Sequence, residues 1–167
     1  TDSGLRTHAV SLFAPMVILT KEHLLETIDA ARRGDFDGKD VLDQLVLEGL
    51  ELSGVDLSEL TIRRSTFTNV TMRSVDLSHT VIENSTFTNV DLSTSTLDDT
   101  TFQSSAAAKV RFDSIHGRDL KLRQSSVSVC SFDRSDLTGI SIEESSLARC
   151  SLVQCAMKSA SLRRTAL

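Results

Sequence analysis

Every fifth residue from Leu47 to Leu167 is apolar, and among these 25 positions only Gly117 breaks the rule. The series runs Leu47, Leu52, Leu57, Ile62, Phe67, Met72, Leu77 and on to Met157, Leu162 and Leu167 without a slip of phase. A helix of period 3.6 and a strand of period 2 each scatter such positions around the chain, so neither buries them on one continuous face. A second series of small or medium side chains sits two residues earlier, at Val55, Ser65, Val70, Thr80, Val90, Ser95, Cys130, Ser135, Cys150, Cys155 and Ala160.

Four units carry the pattern most plainly: Val55-Asp56-Leu57-Ser58, Val75-Asp76-Leu77-Ser78, Val90-Asp91-Leu92-Ser93 and Ser135-Asp136-Leu137-Thr138. They resemble the pentapeptide-repeat family, whose motif is roughly A-(D/N)-L-x-x. The resemblance implies an all-β solenoid, a right-handed quadrilateral β-helix with four pentapeptides to each coil. This chain departs from the family pattern in the small position, where Val, Ile, Ser, Thr and Cys stand in place of Ala.

A four-sided coil demands a superperiod of twenty. The hexapeptide Ser65-Thr66-Phe67-Thr68-Asn69-Val70 indeed recurs as Ser85-Thr86-Phe87-Thr88-Asn89-Val90. Like residues are therefore expected to stack at about 4.8 Å, in a rod of about six coils and roughly 30 Å. Burial comes from inward ladders of Leu and Phe, and each coil hydrogen-bonds to its neighbours.

The predicted organisation is an N-terminal segment with a capping helix over 1–44 and the β-helix over 45–167. Residues 1–8 are expected to lack structure, and His8–Leu19 is a β-leaning stretch that Pro15 restricts to an edge or a loop. Thr20 is a good N-cap for a helix over Lys21–Arg33, with Leu24, Leu25, Ile28 and Ala31 as its apolar face and Gly34 as its stop. Such a helix, followed by Asp35-Phe36-Asp37-Gly38, suits the capping of the first coil's open edges. The other end carries no such signal, and Leu167 is itself an inward position. Two explanations stand: continuation into a longer protein, or an end-to-end homodimer through the C-terminal coil.

Composition narrows the surroundings. Absence of Trp and Tyr suits a narrow interior. No apolar stretch reaches membrane-span length and no cleavable leader is evident. Three Cys in inward slots read as reduced core thiols, with Cys130 and Cys150 stacked one coil apart. These features point to a reducing compartment; the family resemblance implies either the cytoplasm or delivery into a host cell.

Charge is divided along the rod. Residues 45–104 carry nine acids and three bases, whereas 105–167 carry six acids and ten bases. Ion pairs between coils are expected for Asp91 with Arg111, Asp98 with Arg118 and Glu144 with Arg164, each worth well under about 1 kcal/mol. One face escapes this charge. Thr66, Thr68, Thr86, Thr88, Ala106, Ala108, Ser126 and Ser128 flank Phe67, Phe87, Ala107 and Val127, making a flat strip of small side chains. It is a candidate interaction face, for the His8–Leu19 segment or for a partner protein. A second candidate is the break in regularity: Ala107 and Gly117 lie on opposite sides of one coil, and either the flanking Phe102 and Phe112 fill the gap or a dent exposes His116, Gly117 and Arg118.

No catalytic constellation emerges. His8, His23, His79 and His116 lack metal-ligand spacing, no phosphate loop or nucleophile elbow is present, and no cofactor is implied. Nucleic-acid binding is not expected, because aromatic platforms are missing and bases are mixed with acids. The reading is a non-catalytic protein-protein interaction module with an unidentified protein partner. Pentapeptide β-helices resembling this one occur as recognition or scaffold domains of bacterial effectors such as HECT-like ubiquitin ligases. A DNA-mimicking inhibitor of a type II topoisomerase is the alternative, and a structural spacer the third.

Overall fold

A computed structural model describes residues 15–36 and 38–167. The strands are β1 (Met16–Ile18), β2 (Val41–Asp43), β3 (Leu45–Glu48), β4 (Thr61–Arg63), β5 (Thr66–Thr68), β6 (Val81–Glu83) and β7 (Thr86–Thr88). They continue as β8 (Thr101–Gln103), β9 (Ala106–Ala108), β10 (Lys121–Arg123), β11 (Ser126–Ser128), β12 (Ser141–Glu143), β13 (Ser146–Ala148) and β14 (Ser161–Arg163). One helix, α1 (Lys21–Arg33), lies between β1 and β2.

The expected twenty-residue register is met at every pairing from Val41 onward. The even-numbered strands form one seven-stranded parallel sheet and the odd-numbered strands from β1 to β13 form a second. Two further walls are held by single parallel bridges, a third through Glu51, Thr71, Asp91, Arg111, Ser131 and Ser151 and a fourth through Asp56, Asp76, Thr96, His116, Asp136 and Ala156. Together these four walls make a β-solenoid of about six turns. The first sheet begins at β2, where Val41–Asp43 pairs with Thr61–Arg63.

Corners are made by the backbone. The residue two past each inward position is left-handed, with φ of 49–60° in non-glycine residues from Gln44 to Arg164, and Gly49, Gly54 and Gly139 fill three such places. Most occupants are Asn, Asp, Ser, Gln or Arg, but Val129 (φ 54°) is β-branched and 45% exposed, and a β-branched side chain strains this conformation. Val129→Asn is therefore expected to stabilise the protein by about 1 kcal/mol, read as a rise in the urea midpoint at constant m-value.

The small position explains itself once its hydrogen bonds are seen. At the corner between the two sheets, the Oγ atoms of Ser65, Ser85, Ser105, Ser125 and Ser145 accept from the backbone N–H one coil before, at 3.0–3.2 Å. All five hydroxyls also donate to the carbonyl two residues back at 2.8–3.0 Å, as Ser65 does to Arg63. A buried N–H without a partner costs about 1–3 kcal/mol, and Ala has no atom to offer it. On the third and fourth walls the Asp of the Asp-Leu-Ser units does analogous work. Asp56, Asp76 and Asp91 each accept the N–H two residues on, at 2.9–3.0 Å.

The interior is an unbroken apolar column. Phe67 and Phe87 stack with ring centroids 4.5 Å apart and planes 6° apart, as the repeated hexapeptide requires. The expected compensation at the thin coil is visible: Phe102 meets Phe112 edge-on at 6.4 Å, and Phe112 stacks on Phe132 at 4.5 Å. Over Gly117, the Leu137 and Ile115 side chains close in to 3.2 and 3.3 Å of where a Cβ would stand.

The helix has its expected bounds. The Thr20 side chain accepts from the His23 N–H, and Gly34 closes the C-terminus in a left-handed conformation (φ 79°). Its buried face differs in one residue, for Thr27 is buried and Leu25 is 40% exposed. Thr27 tolerates burial because its hydroxyl donates to the His23 carbonyl at 2.7 Å. β1 pairs Met16 with Leu45, an offset of 29 residues instead of 20, because α1 replaces two flat walls of that coil. Lys21 Nζ donates to the Ser53 carbonyl at 2.7 Å, and Arg32 donates to the Ser58 carbonyl at 3.2 Å. The helix thereby covers the third and fourth walls while β1 extends the second sheet. The expectations for residues 1–8, the His8–Ala14 part of the β-leaning stretch and Asp37 lie outside the described residues.

Candidate functional site

The eight strip residues come together as one face. Thr66 and Thr68 on β5, Thr86 and Thr88 on β7, Ala106 and Ala108 on β9, and Ser126 and Ser128 on β11 all point outward from the second sheet in exact lateral register. Ser146 and Ala148 on β13 extend the face by one strand. Residues 16–18 do not lie across it. They add to its edge in plane, since Val17 pairs with Val46 and β1 is the end strand. A Pro at position 15 suits that edge, where one side of the strand needs no donor.

Beside this face runs an open groove of about 550 Å³ along the corner between the sheets. Its floor is the serine ladder Ser85, Ser105, Ser125 and Ser145, whose short side chains leave the depression. Its rim is a chain of hydrogen bonds along the axis. Gln103 Nε2 donates to Gln124 Oε1 at 2.8 Å, and Arg164 Nη1 donates to Glu144 Oε1 at 2.8 Å.

His116, Gly117 and Arg118 are not a loop. His116 bridges to Thr96 and Asp136, and the Gly117 N–H donates to the Asp136 carbonyl at 2.8 Å, so the fourth wall passes through them intact. Gly117 is buried, whereas His116 and Arg118 are exposed. The dented form of this site is thus replaced by a continuous wall, closed by Leu137 and Ile115.

The surface ion pairs follow diagonals as well as columns. Glu144 and Arg164 pair one coil apart at 2.8 Å, as expected. Asp91 instead takes Arg73 at 2.7 Å, and Arg111 approaches Asp113 at 3.7 Å. The Arg118 backbone N–H donates to Asp98 at 2.8 Å, but its guanidinium crosses the fourth wall to Asp136 at 2.7 Å. Outward neighbours on one wall are staggered across its width, and Arg is long enough to take the diagonal. The Thr138 side chain and then Arg118 hold the Asp136 carboxyl at about 2. Lys121, then His79, likewise lowers Asp99, on the corner between the fourth wall and the first sheet.

The cysteines are free thiols. Cys130 is buried, donates to the Ser128 carbonyl at 3.2 Å and accepts from the Val110 N–H at 3.4 Å. Burial pushes its thiol up to about 11, so it is protonated at neutral pH and a poor nucleophile. Cys150 and Cys155 are half-buried. Among the described residues no group of three or more His, Cys, Asp and Glu is placed to hold a metal ion, and no helix is long and apolar enough to cross a membrane.

Sequence reasoning missed the groove and the serine ladder beneath it. The signal was present as Ser at 65, 85, 105, 125 and 145, a single column of the twenty-residue period.

Four walls, left-handed corners and a five-residue inward repeat define a quadrilateral β-solenoid. A pentapeptide-repeat family model matches residues 51–89, in eight copies. Residues 51–89 thus carry the pentapeptide-repeat signature, set in a solenoid whose register does not change from Val41 onward. Among solved structures it is similar to trypsin-treated QnrB1, a plasmid-mediated fluoroquinolone resistance protein, at 12% identity over 76% of each chain with a TM-score of 0.51. That likeness shows the fold alone. A pentapeptide repeat protein from the Arabidopsis thaliana thylakoid lumen is 17% identical over 67% of this chain and 61% of that one, with a TM-score of 0.36. HetL of the cyanobacterium Nostoc is 15% identical over 86% of this chain and 95% of that one, with a TM-score of 0.22. No curated protein sequence matches the chain.

Proposed function

We propose that the chain is a non-catalytic protein-interaction module and that its docking surface is the flat face of the second sheet. The observation that carries this is the in-register run from Thr66 and Thr68 to Ser126 and Ser128, small and uncharged over four adjacent strands. On such a face a partner's backbone approaches closely without desolvating charge, and the rigid parallel ladder loses little entropy on binding. In the finer reading the module is the recognition or scaffold part of a larger bacterial effector such as a HECT-like ubiquitin ligase.

The test is Ala108→Arg, which places a long cation in the middle of the face, with Glu83→Arg on the first sheet as control. The expected result is loss of partner capture from host-cell lysate by the first variant alone, with both melting temperatures unchanged. Capture that survives Ala108→Arg undiminished would remove the face from consideration.

The DNA-mimic alternative meets an electrostatic objection. Duplex DNA carries a negative charge about every 1.7 Å, whereas the second half of this rod has ten bases against six acids. DNA gyrase supercoiling is accordingly expected to proceed unchanged in excess protein.

A further inference from the structure

A second groove, of about 330 Å³, follows the corner between the second sheet and the third wall in the C-terminal half. Lys109, Arg111, Val129, Ser131, Arg149 and Ser151 line it. Lys109, Val129 and Arg149 are successive corner residues, one coil apart, and Arg111, Ser131 and Ser151 form the adjoining column. Cys130 and Val110 at the base are short, which leaves the space.

The cations here are less committed than several others on the rod. Arg73, Arg118 and Arg164 are bound to Asp91, Asp136 and Glu144 at 2.7–2.8 Å. Lys109 and Arg149 make no ion pair with any described residue, and Arg111 stands 3.7 Å from Asp113. The nearby carboxylates are on the far row of the third wall and are occupied. Asp113 accepts the Asp133 N–H at 3.0 Å, while Asp133 accepts the Ser151 hydroxyl at 2.6 Å and the Val153 N–H at 2.9 Å.

We infer that this groove binds an extended acidic peptide, with two carboxylates astride Val129, one on Lys109 and one on Arg149. Two coil steps separate those cations, about 9.6 Å. In a polyproline-II strand, residues i and i+3 share a side and lie about 9.3 Å apart, so a Glu-x-x-Glu sequence matches the spacing. The half-exposed Val129 side chain meets the apolar residue between them, and the Ser131 and Ser151 columns face the peptide's backbone. A nucleic acid fits less well. Its phosphates continue past the groove toward Asp113 and Asp133, and the groove offers no aromatic ring for a base.

The inference rests on the reading of the chain as an interaction module but uses a different surface from the second-sheet face. The test is fluorescence anisotropy with the whole chain and a short labelled peptide centred on Glu-Pro-Val-Glu, in low and raised salt. Expected are salt-sensitive binding, weakening of at least about tenfold in the Lys109→Gln/Arg149→Gln double variant, and comparable weakening when both peptide Glu are Gln. Both substitutions are at surface corners, and an unchanged melting temperature confirms that the double variant is folded. No binding by the unmodified chain, or equal binding by the double variant, overturns the proposal. Displacement by inorganic phosphate or an oligo-dT strand at lower concentration than by unlabelled peptide overturns the assignment to a peptide. Partner capture lost on Ala108→Arg, together with indifference to the peptide, sinks the groove alone; failure of both sinks the module reading.

Discussion

Phe112→Ala is expected to cost 3–5 kcal/mol or so, near the upper end for a buried Phe. Its ring is buried, stacked on Phe132 with planes 3° apart and set edge-on to Phe102. In most coils a truncated ring leaves neighbouring Leu or Ile side chains free to lean into the space. Besides Phe102, this coil has only Ala107 and Gly117 as its other inward residues, and the Leu137 and Ile115 side chains are already drawn over Gly117. The cavity therefore stays open. Phe67→Ala, in a coil that retains Ile62, Met72 and Leu77, is the comparison. Urea denaturation is expected to show the larger loss for Phe112→Ala, with hydrogen exchange accelerating first in β11–β14, the strands of the coils that follow it. A loss no greater than that of Phe67→Ala would mean that the thin coil relaxes freely.

Leu24→Ala is expected to remove about 2–5 kcal/mol and to act on the opposite end. Leu24 is the most deeply buried leucine of α1, at 1% exposure, in a helix that covers two walls of the first coil. Loosening it exposes the edges of β2 and β3, whose unpaired backbone groups are templates for another chain. The expected signature combines faster exchange at Leu45–Glu48 with concentration-dependent growth in light scattering. Protection at β3 that matches the unmodified chain would show that β1 alone caps the rod.

The two effects differ because repeats contact only their neighbours. A solenoid's stability is a sum of local terms and interfaces, so a core defect loosens first the coils that stack directly on it. Leu162 is 48% exposed and Leu167 80% exposed, although both continue the inward series.

Much of this was legible from one chain. Phe67 and Phe87 were placed above one another by a repeated hexapeptide, and Thr20 and Gly34 marked the helix ends through their own conformational chemistry. Leu25 was misplaced because helical periodicity gives a direction but not the width of the surface that receives it. The solenoid presents its edge to α1 at an angle that buries Thr27 instead. The pairings of Asp91 and Arg111 failed for a related reason: a column of the repeat specifies which residues are neighbours, while side-chain reach selects among several at similar distance.

What the sequence determined alone is the course of the backbone, because an apolar residue at each fifth place leaves the chain one way to bury them all. The tertiary structure decided how the surface is used: which carboxylates close corners, which arginines cross a wall, and which cations at Lys109 and Arg149 are left without a partner. Burial is additive along the chain and so is written into its period. Pairing at the surface depends on competition among groups brought together from different coils, and that competition exists only after the coils have stacked.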